Sequence, residues 1–474
     1  MEKIIDTKKY KYEIIVDYIQ SAINKGTLKF NGKLPSLRKI STEFDCAISV
    51  AMQAYTELEV RGTIYAIEKS GFFVSEQLKH DIPSPQKEKH QLKSKVSKSN
   101  DLTKIVIDLS ISKSVINFGA GVPNQTILPI HRLKKSLIKI TREQPHLLSQ
   151  YSFTNGFDKL RQELAYLMLN KGINASLDEL IITNGCSEAV ALAIKAATST
   201  GDTIAIESPV FFGIINILEQ LERKVIEIPT SPDKGIDLVN LEKLMGKGEI
   251  SACIITATFQ NPLGHIMPRE NKIKLIDLAI QHNIPIIEDD LYGECSFNNK
   301  SYHPLKYYDY ADIVLYCSSF SKTISPGSRI GWLIPGQYKL QCENIKIAET
   351  FGGPVIIQAA MADFLHENGY EYHIKKLRKS ISVQTHQIKQ FILKYFPSDI
   401  KVTNPQGGYF LWIELNKTIN TMELFHKALK NNICIIPGPV FSTGNKYNNC
   451  FRISCGSPIT KKIEYGIRKL AKMI

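Results

Sequence analysis

Ser318-Ser319-Phe320-Ser321-Lys322-Thr323-Ile324-Ser325-Pro326-Gly327-Ser328-Arg329-Ile330-Gly331-Trp332 is the stretch on which the fold turns. It follows the apolar run 313–317, which has the length and composition of a short buried strand. Lys322 therefore sits just past a strand end, among small hydroxyl residues and glycine. A lysine placed there is partly desolvated, which lowers its pKa and frees the amine for Schiff-base chemistry. Ser319 and Arg329 supply a hydroxyl and a fixed cation, as a phosphate beside that amine would require.

From residue 105 onward, strand-like and helical patterns alternate. Residues 180–183 precede a helical stretch at 189–197, and further strand runs follow at 203–206, 253–256 and 284–288. Such alternation predicts a largely parallel sheet covered by helices, with ligands bound beyond the carboxyl ends of strands. The unusual clusters fall at those ends. Thr183-Asn184-Gly185-Cys186-Ser187-Glu188 is a glycine turn opening a helix, a ready anion site. Phe211 follows a strand and is suited either to core packing or to stacking on a flat ring. Asn261, in Asn261-Pro262-Leu263-Gly264, offers a fixed amide. Asp289 closes an apolar run, where a carboxylate requires a cationic partner such as a protonated pyridine nitrogen. Tyr292 stands three residues on. Arg452 lies inside the apolar strand run 449–454, either on an edge or as a carboxylate clamp.

Taken in order, these segments resemble the fold type I pyridoxal-phosphate (PLP) family, the aminotransferases, over residues 105–474. The resemblance implies an α/β domain with a mixed, mostly parallel sheet, helices on both faces and a small C-terminal domain. It implies pyridoxal 5'-phosphate as cofactor, with Lys322 forming the internal aldimine and serving as catalytic acid/base. Asp289 would meet the pyridine nitrogen, Asn261 and Tyr292 the ring oxygen, and Phe211 the ring face. The phosphate would lie among Gly185, Cys186, Ser187, Ser319 and Arg329. Tyr151 matches a tyrosine that reaches the neighbouring subunit's phosphate, so a homodimer is implied. Arg452 would bind the α-carboxylate of an amino acid.

The first 76 residues follow a different plan. Ile14, Ile15, Tyr18, Ile19, Ala22 and Ile23 recur at helical spacing before Gly26. Ser36 is placed to cap a second helix, and a third is predicted over 49–61, ended by Gly62. Strand-like pieces at 63–67 and 71–74 complete an α+β winged helix-turn-helix. From residues 32–38 through 53–58 to 69–74 the segment resembles the GntR-type DNA-binding domain. That resemblance puts Ser36 and Arg38 on phosphates, Ser49 and Gln53 at base edges, and Lys69 of the wing on a phosphate. Many relatives carry Ser-Arg-x-Thr at the start of the recognition helix, whereas this chain has Ala47-Ile48-Ser49-Val50, so one bidentate guanine contact is missing.

Residues 77–104, rich in lysine, serine and proline early on, are expected to be a flexible basic linker. Net charge is +13, yet residues 1–76 hold 11 Lys/Arg against 10 Asp/Glu. Charge alone therefore does not mark the head as a DNA-binding face. The nine cysteines form no metal-ligand or disulfide pattern, no apolar run could span a membrane and no signal peptide is visible, so a cytoplasmic protein without a metal site is expected.

A winged helix fused to an aminotransferase-like domain resembles the MocR group of transcription regulators. That resemblance implies promoter DNA and an amino acid or amine effector as partners. Two readings stand: a regulator sensing its effector through an aldimine at Lys322, and an active aminotransferase (amino acid:2-oxo acid) with an accessory DNA-binding module.

Overall fold

The structure, a computed structural model, describes residues 9–67, 70–75, 83–85, 87, 92–96, 105, 108–109, 115–151, 155–298, 300, 302–367, 369–444 and 446–474.

Three helices and a hairpin form the head: α1 (Lys11–Asn24), α2 (Leu37–Glu43), α3 (Ile48–Val60), β1 (Ile64–Ile67) and β2 (Gly71–Val74). Ile15, Val16, Ile19 and Ile23 share the buried face of α1, as their spacing requires. Ser36 caps α2 by accepting from the Lys39 amide at 3.3 Å. Ala51, Ala54, Tyr55 and Leu58 of α3 complete the core, and the Tyr55 hydroxyl donates to the Pro35 carbonyl at 2.7 Å. The strands pair antiparallel from Ile64 opposite Val74 to Ile67 opposite Gly71.

The body is built on a nine-stranded sheet. Its path runs Lys95–Val96, Lys224–Ser231, Thr203–Ser208, Ala252–Ile255, Ile286–Asp289, Val314–Ser319, Gly331–Ile334 and Ile181–Thr183, with Gly235–Ile236 paired off the path. The five strands in the middle of this path, from Lys224–Ser231 to Val314–Ser319, are mutually parallel; Gly331–Ile334 runs antiparallel to both neighbours. These strands are apolar on both faces because both are covered. Ile204 and Ile206 pack with the helix Cys186–Ala197, while the intervening Ala205 packs with Leu238–Gly246 and Arg269–His282.

A smaller four-stranded antiparallel sheet follows, in the order Lys401–Val402, Phe410–Glu414, Cys450–Ser454, Ile436–Pro437. Helices Thr421–Lys430 and Lys461–Ala471 cover it, the latter through Ile467 and Leu470. The short strand Ile116–Asn117 pairs in parallel with Ile433–Cys434 and delivers residues 118–122 to the crevice between the two sheets. A 27-residue helix, Gly369–Tyr395, spans the junction and also carries the head. No described helix is long and apolar enough to cross a membrane.

Candidate cofactor site and nucleic-acid interface

A cavity of about 330 Å³ opens at the carboxyl ends of the parallel strands. It is lined by Lys322, Asn261, Tyr292, Phe211, Cys186, Ser187, Ser319, Arg329 and Arg452, which stand far apart in sequence. Lys322 ends the single turn Phe320–Lys322 that follows strand Val314–Ser319. Its Nζ donates to the Gly121 carbonyl, and its own carbonyl accepts from the Tyr409 hydroxyl at 2.8 Å. Burial, reinforced by the Arg452 guanidinium, pushes the amine down to about 8.

Asp289 closes strand Ile286–Asp289 and is buried. Its Oδ1 accepts from the Cys186 thiol at 3.3 Å and from the Leu291 amide at 3.2 Å. Desolvation nonetheless raises it to about 6. A buried carboxylate in this state gains from a cationic neighbour, which a protonated ring nitrogen supplies.

The anion end is built around Gly185. Its φ of +85° with ψ of 172° is a conformation nearly confined to glycine, and an added Cβ would lie 2.2 Å from Arg329 Nη2. Arg329, itself at φ +50°, donates to the Asn184 carbonyl at 2.8 Å and reaches Ser321 Oγ at 3.4 Å. Ser319 Oγ accepts from the Ser321 amide at 2.9 Å. A guanidinium, two serine hydroxyls and the first amides of a 12-residue helix thus face one space, the donor set a phosphate needs.

At the opposite end Arg452, fully buried on strand Cys450–Ser454, donates to Asn261 Oδ1 at 2.7 Å and to the Gly119 carbonyl at 2.5 Å. Its guanidinium lies 4.1 Å from the Phe410 ring centroid, and its Nε has no hydrogen-bond partner. Burial lowers its pKa to about 10, so it stays charged. Burial also holds Tyr292 firmly in its neutral, donating form. Phe211 lies against Gly213, where any Cβ would approach its ring to 2.4 Å.

Tyr151 does not join this chain's cavity. It is 76% exposed, edge-on to Phe351 at 5.8 Å. The sequence reading missed the glycine-rich stretch 119–122, although Gly119-Ala120-Gly121 itself signals close backbone approach. It also missed Ser321, and the buried pair Glu207 and His265, 3.4 Å apart. Burial raises Glu207 to about 8 and lowers His265 to about 3, so both are neutral near pH 7.

In the head, Ser36, Arg38, Ser49 and Gln53 are all exposed. Ser49 and Gln53 stand four apart on the outer face of α3, beside the exposed Ile48 and Met52. Ala47 precedes α3 and provides no side-chain cap. Lys69 lies outside the described residues. Among the described residues no cluster of His, Cys, Asp and Glu could hold a metal ion.

The family model for aminotransferase class I and II matches residues 113–470, and that for bacterial regulatory proteins of the gntR family matches residues 11–74. The chain belongs to the MocR-type group of the GntR family, a GntR helix-turn-helix domain joined to an aminotransferase class I and II domain. This MocR-type chain is 31% identical over 467 residues to the uncharacterized HTH-type transcriptional regulator YdcR of Escherichia coli (strain K12), covering 98% of this chain and 99% of that protein. It is 26% identical over 440 residues to the HTH-type transcriptional regulator NorG of Staphylococcus aureus (strain USA300), covering 92% and 98%. Among solved structures, the MocR-type body resembles kynurenine aminotransferase of Pyrococcus horikoshii, crystallised with PMP. The TM-score is 0.74 at 26% identity, over 79% of this chain and 94% of that one. The body therefore has the fold type I aminotransferase architecture, and its cofactor is pyridoxal 5'-phosphate.

Proposed function

We propose that the chain is a cytoplasmic, homodimeric transcription regulator that binds promoter DNA through its winged helix and senses an amino acid or amine at Lys322. The observation that carries this reading is the convergence of Lys322, Asn261 and Arg452 on one cavity, in a chain whose α3 presents Ser49 and Gln53 to solvent.

Pyridoxal 5'-phosphate, when bound, supplies an aldehyde that condenses with primary amines and a ring that withdraws electrons. The residues around it have separable tasks. Arg329, Ser319 and the amides of 185–187 would hold the phosphate. Asp289 would hold a proton on the ring nitrogen, while Asn261 and Tyr292 would donate to the ring oxygen. Phe211 would cover the ring face. Lys322, with its lowered pKa, is an amine that can lose its proton near neutral pH and act as nucleophile. Arg452 would bind the carboxylate of an incoming amino acid through two parallel N–H groups. An effector switches the protein only if it binds two arrangements of the chain with different affinity.

The test is binding of the chain to its own upstream DNA, with and without amino acids, at several salt concentrations. The regulator reading expects salt-sensitive binding that changes with one amino acid, and a Lys322→Ala protein that binds DNA but no longer responds. Absence of salt-sensitive affinity for that DNA would overturn it.

A second reading is favoured by Lys322 itself. An amine held at about 8 at the cavity can also serve as the acid and base that amino-group transfer from an amino acid to a 2-oxo acid would require, with pyridoxal 5'-phosphate as the carrier of the nitrogen. Incubation with an amino acid and a 2-oxo acid, followed by analysis of the products, separates a turning-over enzyme from a sensor.

A further inference from the structure

The long helix Gly369–Tyr395 touches the amine site and the DNA-binding head at two points along its length. At the first, buried His373 places Nε2 2.6 Å from the Thr323 carbonyl. Thr323 directly follows Lys322, so two successive carbonyls on the C-terminal side of the reactive lysine are tied: Lys322 O to Tyr409 and Thr323 O to His373.

One turn and a half along, Arg378 holds the segment just past Tyr292. Its Nε donates to the Glu294 carbonyl at 2.8 Å and its Nη2 to the Glu294 carboxylate at 2.9 Å. The second point begins at the next residue. Lys379 pairs with Glu59 of α3 at 3.0 Å, and Ser382 Oγ donates to the Val60 carbonyl at 2.8 Å. Val60 ends α3, where a carbonyl has no partner within its own helix. Gly62 then lies under His386, so close that an added Cβ would stand 2.4 Å from the imidazole. His386 is oriented by the Ser382 carbonyl, 2.8 Å from its Nδ1.

His373 and Ser382 are nine residues apart, about 14 Å along a helix rising 1.5 Å per residue. The helix is unbroken between them and carries neither proline nor glycine there, the usual sites of kinks, so a shift at His373 has a continuous path to Ser382. The helix end that Ser382 grips is the end of α3, whose outer face carries Ser49 and Gln53.

We propose that the helix Gly369–Tyr395 is the coupling element of this protein: His373 reads the state of Lys322 through the Thr323 carbonyl, and the docking of residues 59–62 on Lys379, Ser382 and His386 is what that reading loosens or tightens. The proposal rests on the sensor reading and gives it a physical route. Coupling of this kind is a difference in docking free energy between the loaded and released states of Lys322. His373 is a positioning residue in this scheme and touches no reacting atom.

The test uses the full-length, cofactor-loaded protein and hydroxylamine, an amine probe that takes the cofactor's aldehyde off Lys322 whatever the natural effector is. Loss of the visible absorbance of the Lys322-linked cofactor reports that step. Amide hydrogen exchange of residues 60–63 reports docking of the head. In the wild-type protein, hydroxylamine is expected to change the exchange of these amides by about fivefold or more, the lower end of usual coupling energies. His373→Leu is expected to lose the absorbance band in the same way but leave the exchange unchanged, and His373→Gln, which can still donate, to restore part of the response. Ser382→Ala with Lys379→Ala is expected to give fast exchange with or without hydroxylamine. Wild-type amides indifferent to bleaching of the band, or a His373→Leu protein responding like wild type, would overturn the proposal. If exchange responds as expected while no amino acid alters DNA affinity, the coupling stands and the sensor reading fails.

Discussion

Arg452 and Asn261 are joined by a 2.7 Å hydrogen bond from Nη1 to Oδ1. The bond occupies the amide oxygen of Asn261 and leaves its NH2 group as the donor available to a ring oxygen. In the proposed function it would therefore link a carboxylate clamp at Arg452 to the cofactor ring. Replacing Arg452 with alanine removes charge-assisted hydrogen bonds of about 1.5–3 kcal/mol, or roughly 10–150-fold in affinity. The loss is expected for amino acids and not for amines that lack a carboxylate. Titrations with an amino acid and its decarboxylated counterpart, followed by absorbance, check this; equal losses for both would refute the clamp.

Gly185 and Arg329 form a second such pair. Because the glycine backbone sits in a region nearly closed to other residues, Gly185→Ala brings strain of about 1–3 kcal/mol. It also drives a methyl into the Arg329 guanidinium. Retention of pyridoxal 5'-phosphate through dialysis should fall sharply while secondary structure by circular dichroism is kept. Full retention of the cofactor would show that this turn does not hold the phosphate.

Much of this site was legible because its chemistry sits at strand ends, where local pattern and function coincide. Lys322, Asp289 and Gly185 each break an apolar run in a way burial alone does not explain. Helix α3 was placed within one residue, since the spacing of Ala51, Ala54, Tyr55 and Leu58 is fixed by packing. What escaped was non-local. Residues 119–122 reach the cavity only because Ile116–Asn117 pairs with Ile433–Cys434, over three hundred residues away. His373, Ser382 and His386 look like ordinary polar positions on an amphipathic helix until Thr323 and Val60 are found against them. Tyr151 lies outside its own chain's cavity, so its expected role requires a second subunit.

If the proposed DNA-binding function holds, the exposed residues of the head divide into two kinds of expected contact. Arg38, exposed at the start of α2, would meet a phosphate in the proposed complex, so Arg38→Ala should weaken binding alike on all sequences and reduce the salt slope by about 1. Gln53, exposed on the outer face of α3, would meet a base edge in the same proposed complex. Gln53→Ala should flatten preference at one base pair by about 1–3 kcal/mol while leaving the salt slope unchanged. Binding measured across salt and across single-base operator variants distinguishes them, and a Gln53→Ala protein with an unaltered base preference would remove α3 from the groove in this register.

Glu207 and His265 yield a pH prediction. Glu207 is fully buried; its carboxylate accepts from the Thr256 amide at 2.8 Å, yet desolvation holds its pKa at about 8. The folded value lies above the unfolded one, so the folded state binds the proton more tightly. The stability this contributes is complete below about pH 4.5 and is lost as pH rises from there through about 8. His265 cannot offset the loss by becoming cationic, because its own pKa is pushed down to about 3. Glu207→Gln keeps the shape and removes the titration, so its stability curve should be flatter than wild type between pH 5 and about 8. Urea midpoints of the cofactor-free proteins across that range are the measurement. Parallel curves for the two proteins would mean that Glu207 ionises in the fold as easily as it does in water.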